Sequence, residues 1–91
     1  MPKVNYNGFV ADVREESLKE GIACLSQCTR AERKQILGSV KKALDKALRF
    51  AAAGDKEFSE RQLQDIANDI GIWFAGEVLA GRAEEYKSSV H

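Results

Sequence analysis

Apolar residues recur at helical spacing from Thr29 to Gly81, and start and stop signals divide this stretch into two long segments. The first opens on Thr29 followed by Glu32, a capping box in which hydroxyl and carboxylate satisfy each other's backbone N–H groups. Leu37, Val40, Leu44, Ala47 and Ala51 then step by threes and fours, and Ile36, Ala43, Leu48 and Phe50 widen the stripe. Gly54 stands where a left-handed C-terminal cap is expected. Gly38-Ser39 interrupts the helix interior, and a mid-helix glycine costs about 1 kcal/mol relative to alanine, so the pattern predicts a kink or a close helix crossing there.

The second segment has the better start. Ser59 and Gln62 form another capping box, flanked by Phe58 and Leu63 in the two positions of a hydrophobic staple. Leu63, Ile66, Ala67, Ile70, Phe74 and Val78 make the expected buried stripe, and Gly81 ends it. Only Asp55-Lys56-Glu57 separates the two helices beyond Gly54, so they are expected to be antiparallel neighbours. The tail from Arg82 to His91 has room for a further short helical turn.

An earlier helix is expected from about Val10 to Gln27, carried by Leu18, Ile22 and Leu25, although Ser17 with Glu20 would allow a later start. Ahead of it, Asn7-Gly8 lies between Val4/Tyr6 and Phe9/Ala11 in the form of a two-residue hairpin. A lone hairpin is marginal in water and would have to lie on the helices. An extended arm with Asn7 or Asp12 capping the first helix is the simpler expectation. The predicted fold is therefore all-α: one domain over 1–91, an antiparallel bundle of three main helices with an optional short fourth, and an N-terminal arm.

Ninety-one residues can build one thin core, which makes a homodimer a natural expectation. No signal-peptide run opens the chain and nothing is apolar enough to span a membrane, so a cytoplasmic protein is expected. The 14 basic and 14 acidic residues cancel. Between Arg30 and Phe50, however, seven basic residues stand against two acidic ones, a local surplus of +5 that leaves −5 for the rest of the chain. These bases mostly lie opposite the apolar stripe. They read as a solvated face paired with acids of the other helices, as a phosphate-binding face, or as a face for an acidic protein. No aromatics interleave with them, which argues against stacking on single-stranded nucleic acid.

Few residues suggest chemistry. Cys24 and Cys28 would share a helix face, but a zinc site needs about four ligands and the one histidine is His91. They read as small apolar residues near a helix junction, with a redox role or a metal held across a dimer as alternatives. Asp65/Asp69 and Glu16/Glu20 read as solvated surface carboxylates. No cofactor and no metal are expected, and an enzyme is not.

Gln64-Asp65-Ile66-Ala67-Asn68-Asp69-Ile70-Gly71-Ile72 resembles the first helix and turn of a helix-turn-helix, with residues 64–81 as its whole extent. That family places polar reading residues next, whereas this chain has Trp73, Phe74, Ala75 and Gly76. An uninterrupted amphipathic helix is the simpler account. Gly71, Ala75, Gly76 and Ala80 gather small side chains beside Trp73 and Phe74, which suits either internal packing or an interface. Trp73 falls off the centre of the stripe and would anchor a partner if exposed. The functional expectation is a small regulator, adaptor or inhibitor that binds another protein with an acidic surface. Trp73, Phe74 and Gly76 would supply the apolar contact, and Arg33, Lys34, Lys41 and Lys42 would steer. A DNA-binding regulator is the alternative.

Overall fold

The computed structural model describes residues 2–53 and 58–82. The chain forms β1 (Lys3–Tyr6), β2 (Phe9–Asp12), α1 (Glu15–Ser26), α2 (Arg30–Ala53) and α3 (Glu60–Leu79). The fold is mostly helical but not all-α, because the predicted arm is a two-stranded antiparallel sheet.

Asn7 and Gly8 carry the turn with φ of 49° and 91°. Positive φ at both central positions is what a type I′ turn demands, and its twist matches that of the flanking strands. Asn5 Oδ1 accepts the Gly8 N–H at 2.8 Å and braces the turn. The register pairs Val4 with Ala11 and Tyr6 with Phe9. Val4, Tyr6 and Ala11 are buried and Phe9 is half-buried, while Lys3, Asn5, Val10 and Asp12 face out. This alternation is the period-2 signature of a sheet with one wet face. The hairpin escapes the instability of an isolated pair by lying on α3: the Tyr6 ring meets Trp73 edge-on at 4.9 Å, and Phe9 meets Phe58 at 6.1 Å.

Because β2 occupies residues 9–12, the first helix starts later than the expected Val10. Its cap is Arg14 in extended conformation with no side-chain hydrogen bond, so Ser17 plays no capping role. Glu15 and Glu16 instead place negative charge in the first turn, where the helix dipole favours it.

The Thr29–Glu32 capping box forms, with Thr29 N–H to Glu32 Oε1 at 3.0 Å and Glu32 N–H to Thr29 Oγ1 at 3.1 Å. These bonds hold the Glu32 carboxyl below its ordinary value. The Ser59–Gln62 box forms in the same way, at 2.9 and 3.2 Å. The expected staple differs, since Leu63 is 43% exposed and Phe58 turns its ring to Phe9. Gly81, with φ of 79°, ends α3 in a Schellman motif: its N–H reaches Val78 O at 3.1 Å and the Arg82 N–H reaches Glu77 O at 2.9 Å. The Gly54 cap, the Asp55-Lys56-Glu57 connection and the optional fourth helix lie outside the described residues.

Helix α3 is the centre of the molecule. Both α1 and α2 pack along it, the hairpin rests on it, and α1 and α2 make no comparable contact with each other. The glycines set its approach distances. A Cβ at Gly21 would stand 3.3 Å from Ala75 Cβ, and one at Gly71 would stand 3.4 Å from Val13, so α1 and the chain leading into it lie close against the small-residue side of α3. Leu37, near the start of α2, covers Gly76 near the end of α3. Ala47 and Phe50 line a common groove with Phe58 and Gln62 at the opposite ends. The two helices are therefore antiparallel, as the short connection predicted. Nothing lies within 4 Å of a Cβ built at Gly38, so the close crossing predicted there does not occur. The core gathers Val4, Tyr6, Ala11, Val13, Leu18, Leu25, Leu44, Ile66, Ile70, Ala75 and Val78 from every element.

Candidate partner-binding surface

The seven residues expected to bind a partner divide into an outer group and an inner one. Lys34, Lys41 and Lys42 are exposed on α2. Among the described residues the ion pair is Arg82–Glu77, at 2.7 Å. No acid of α1 or α3 neutralises these lysines, as a solvated paired face would require. Arg33 differs: it is half-buried, and its Nε donates to Leu25 O at 3.1 Å. It adds a second donor to a carbonyl at the C-terminal end of α1 that already accepts the Cys28 N–H at 3.2 Å, in a turn with no basic residue of its own.

The apolar trio is at most half exposed. Trp73 is half-buried, with its ring against Tyr6 and 6.4 Å from the Phe74 ring. Phe74 is half-buried too, and Gly76 is buried. Were Gly76 an alanine, its Cβ would fall 2.6 Å from Leu37 Cδ1, so the missing side chain is space already filled by α2. Gly71, Ala75 and Gly76 thus serve intramolecular packing, while Ala80 is exposed. Helix α3 also runs unbroken through Gly71, so residues 64–81 contain no helix-turn-helix. The apparent turn signal is a glycine on the face against Val13.

Cys24 is exposed and Cys28 half-buried, with the Cys28 thiol directed to Cys24 O at 3.5 Å. Neither is a core residue. Among the described residues no cluster of three or more His, Cys, Asp or Glu side chains could hold a metal, and no helix is long and apolar enough to cross a membrane.

Two surface features remain. One is the basic face itself. Asp45 projects from it toward the hairpin and accepts the Tyr6 hydroxyl at 2.6 Å. Arg49 Nε donates to Asp45 O at 3.3 Å, and Asn7, Asp45, Leu48 and Arg49 line a shallow hollow at the hairpin tip. Burial, then the hydrogen bond and charge of Asp45, push the Tyr6 phenol up to about 12. The second is a groove of about 380 Å³ along the α2–α3 seam, lined by Ala43, Ala47 and Phe50 on one side and Phe58 and Ile66 on the other. By helical spacing Ala43 and Phe50 lie on the far side of α2 from Asp45 and Leu48, so hairpin and groove flank the seam from opposite faces.

Lys46 stands on the α2 wall of this groove, and Asp65 and Asp69 on the α3 wall. Desolvation, and then the charge of Asp65, raise the Asp69 carboxyl above its ordinary value. Asp69 is half-buried rather than fully solvated as its spacing suggested. The sequence carried a signal for the groove: Ala43 and Phe50, which line it, continue a seven-residue line that starts at Ile36. Helical periodicity alone cannot distinguish such a line from the margin of the core stripe. Ile36 is 38% exposed and belongs to neither the core nor its packed margin.

Comparison of the chain with family models, with curated proteins and with solved structures finds no match.

Proposed function

We propose that this protein is a non-enzymatic binding module that docks an acidic surface of another protein on the exposed face of α2, with Lys34, Lys41 and Lys42 as the recognising charges. The reading rests on one observation: three exposed ammonium groups on one helix, with no ion pair to any described residue, in a chain neutral overall. Cations gathered on one rigid face steer encounter with an opposite charge and suppress wrong partners. The hairpin adds rigidity, because Tyr6 fixes Asp45 on the same helix.

With Trp73 and Phe74 half-buried and Gly76 covered by Leu37, this reading puts recognition on α2 rather than on α3. Arg33 is likewise a positioning residue, holding α1 against the start of α2. A regulator or adaptor of this kind acts by occlusion or bridging.

The test compares affinity capture on the wild-type protein with capture on Lys41→Glu/Lys42→Glu. A protein retained by the first and lost from the second, with release at moderate salt, is the expected result. A labelled DNA duplex titrated at two salt concentrations is the counter-test. Micromolar binding that falls steeply with salt would replace the protein partner by a phosphate backbone.

A further inference from the structure

We infer that the α2–α3 groove is the seat of a second copy of this chain, and that two copies pack face to face about a two-fold axis running along the groove. The first ground is the arrangement of charge. Lys46 lies on the α2 wall and Asp65 and Asp69 on the α3 wall of the same groove, and an antiparallel register with Leu37 opposite Gly76 brings Lys46 to the level of the two aspartates. An axis parallel to the seam carries α2 of one copy over α3 of the other without changing that level. Lys46 of each copy then faces the two aspartates of its partner, and the contact is made twice. This is the self-complementarity that an isologous interface requires. A groove with both walls of one sign would oppose its own copy.

The second ground is the condition of those groups within one chain. Asp69 is half-buried beside Asp65, and neither carboxylate nor Lys46 takes part in an ion pair among the described residues. Two acids four apart on a helix repel, and partial burial weakens their hydration. An ammonium from a second copy would relieve both effects.

The third ground is the apolar line on α2. Ile36, Ala43 and Phe50 recur at the seven-residue spacing by which one helix presents a continuous seam to another. Ala43 and Phe50 line the groove with Ala47 and Phe58 and give the interface an apolar centre beside the charged pairs, and Ile36 extends that line one heptad along α2. The basic face of Lys34, Lys41 and Lys42 is not consumed, so the inference stands apart from the proposed function.

Sedimentation equilibrium of the protein alone, from low micromolar to sub-millimolar, tests the inference. The expected result is a reversible approach to twice the 10.1 kDa chain mass. Lys46→Glu alone, and Asp65→Lys/Asp69→Lys alone, each place like charges across the axis and should weaken self-association by about tenfold or more. Mixed in equal amounts, the two variants have opposite charges at every crossing and should recover the wild-type affinity as a heterodimer. Circular dichroism of each variant shows that it is folded. A wild-type chain that stays monomeric throughout, or a dimer indifferent to both charge reversals, would overturn the inference. So would two variants that each dissociate and fail to rescue one another.

Discussion

The Tyr6 hydroxyl donates to Asp45 Oδ1 at 2.6 Å across 39 positions of sequence, while the same ring meets Trp73 edge-on. One side chain of the hairpin thus joins α2 to α3 on the side of the seam away from the groove. A hydrogen bond to a charged acceptor contributes about 1.5–3 kcal/mol. Tyr6→Phe keeps the ring contact and should lower stability by about 1–2 kcal/mol in urea unfolding. The phenol also makes stability depend on alkali. Its folded value of about 12 lies above the ordinary 10.0, so the folded state holds the proton more tightly than the unfolded state. That stabilisation is complete below pH 10 and is lost as pH rises from there through about 12. Melting temperatures measured across this window should fall more steeply for the wild type than for Tyr6→Phe.

Two glycines of the helix pair should respond to alanine in opposite directions. At Gly76 the new methyl would lie 2.6 Å from Leu37 Cδ1. Overpacking of about 1–3 kcal/mol should outweigh the gain in helix propensity and leave a net loss. At Gly38 no atom lies within 4 Å, so alanine should stabilise the protein by about 0.5–1 kcal/mol. Denaturant midpoints of the two variants, read against the wild type, decide both.

Stability and recognition should separate between Trp73 and the lysines. Trp73→Ala removes the half-buried ring on which Tyr6 rests and should cost about 2–3 kcal/mol. Lys41→Glu/Lys42→Glu alters exposed side chains and should stay within about 0.5 kcal/mol of the wild type while losing the partner. Thermal unfolding and capture on the same two variants test this. Loss of the partner from Trp73→Ala under conditions where it remains folded would return α3 to the recognising surface.

The hairpin turn should be sensitive to its residue types. Gly8 has φ of 91° with open space around it, so Gly8→Ala meets backbone strain and no clash. A loss of about 1 kcal/mol is expected. Amide exchange should show the added opening first in the β1–β2 ladder.

Much of this fold is legible in the sequence because its signals are local. Each capping box needs two residues three apart, and both formed as the spacing required. The Asn7-Gly8 turn was equally plain. What favoured an arm was the weakness of a hairpin with nothing beneath it, and the sequence does not show that Tyr6 will find Trp73. Trp73 lies off the helix–helix stripe for the same reason: its ring serves a third layer, the hairpin. Gly76 looked like an opening for a partner, since the distance to Leu37 is settled only when α2 folds back. The basic face was visible in composition, whereas its lack of ion pairs depends on where the acids of α1 and α3 come to rest.

The placement of α3 at the centre also bears on when the chain can fold. A ribosome releases the hairpin, α1 and α2 first, and each of them has its main packing surface on a helix not yet made. Until α3 emerges, Leu18, Leu25 and Leu44 have no common core to enter. Earlier helices can flicker locally on a sub-microsecond scale but gain little by meeting one another. Folding of these elements therefore waits for α3, triggered by the arrival of one segment rather than built up element by element.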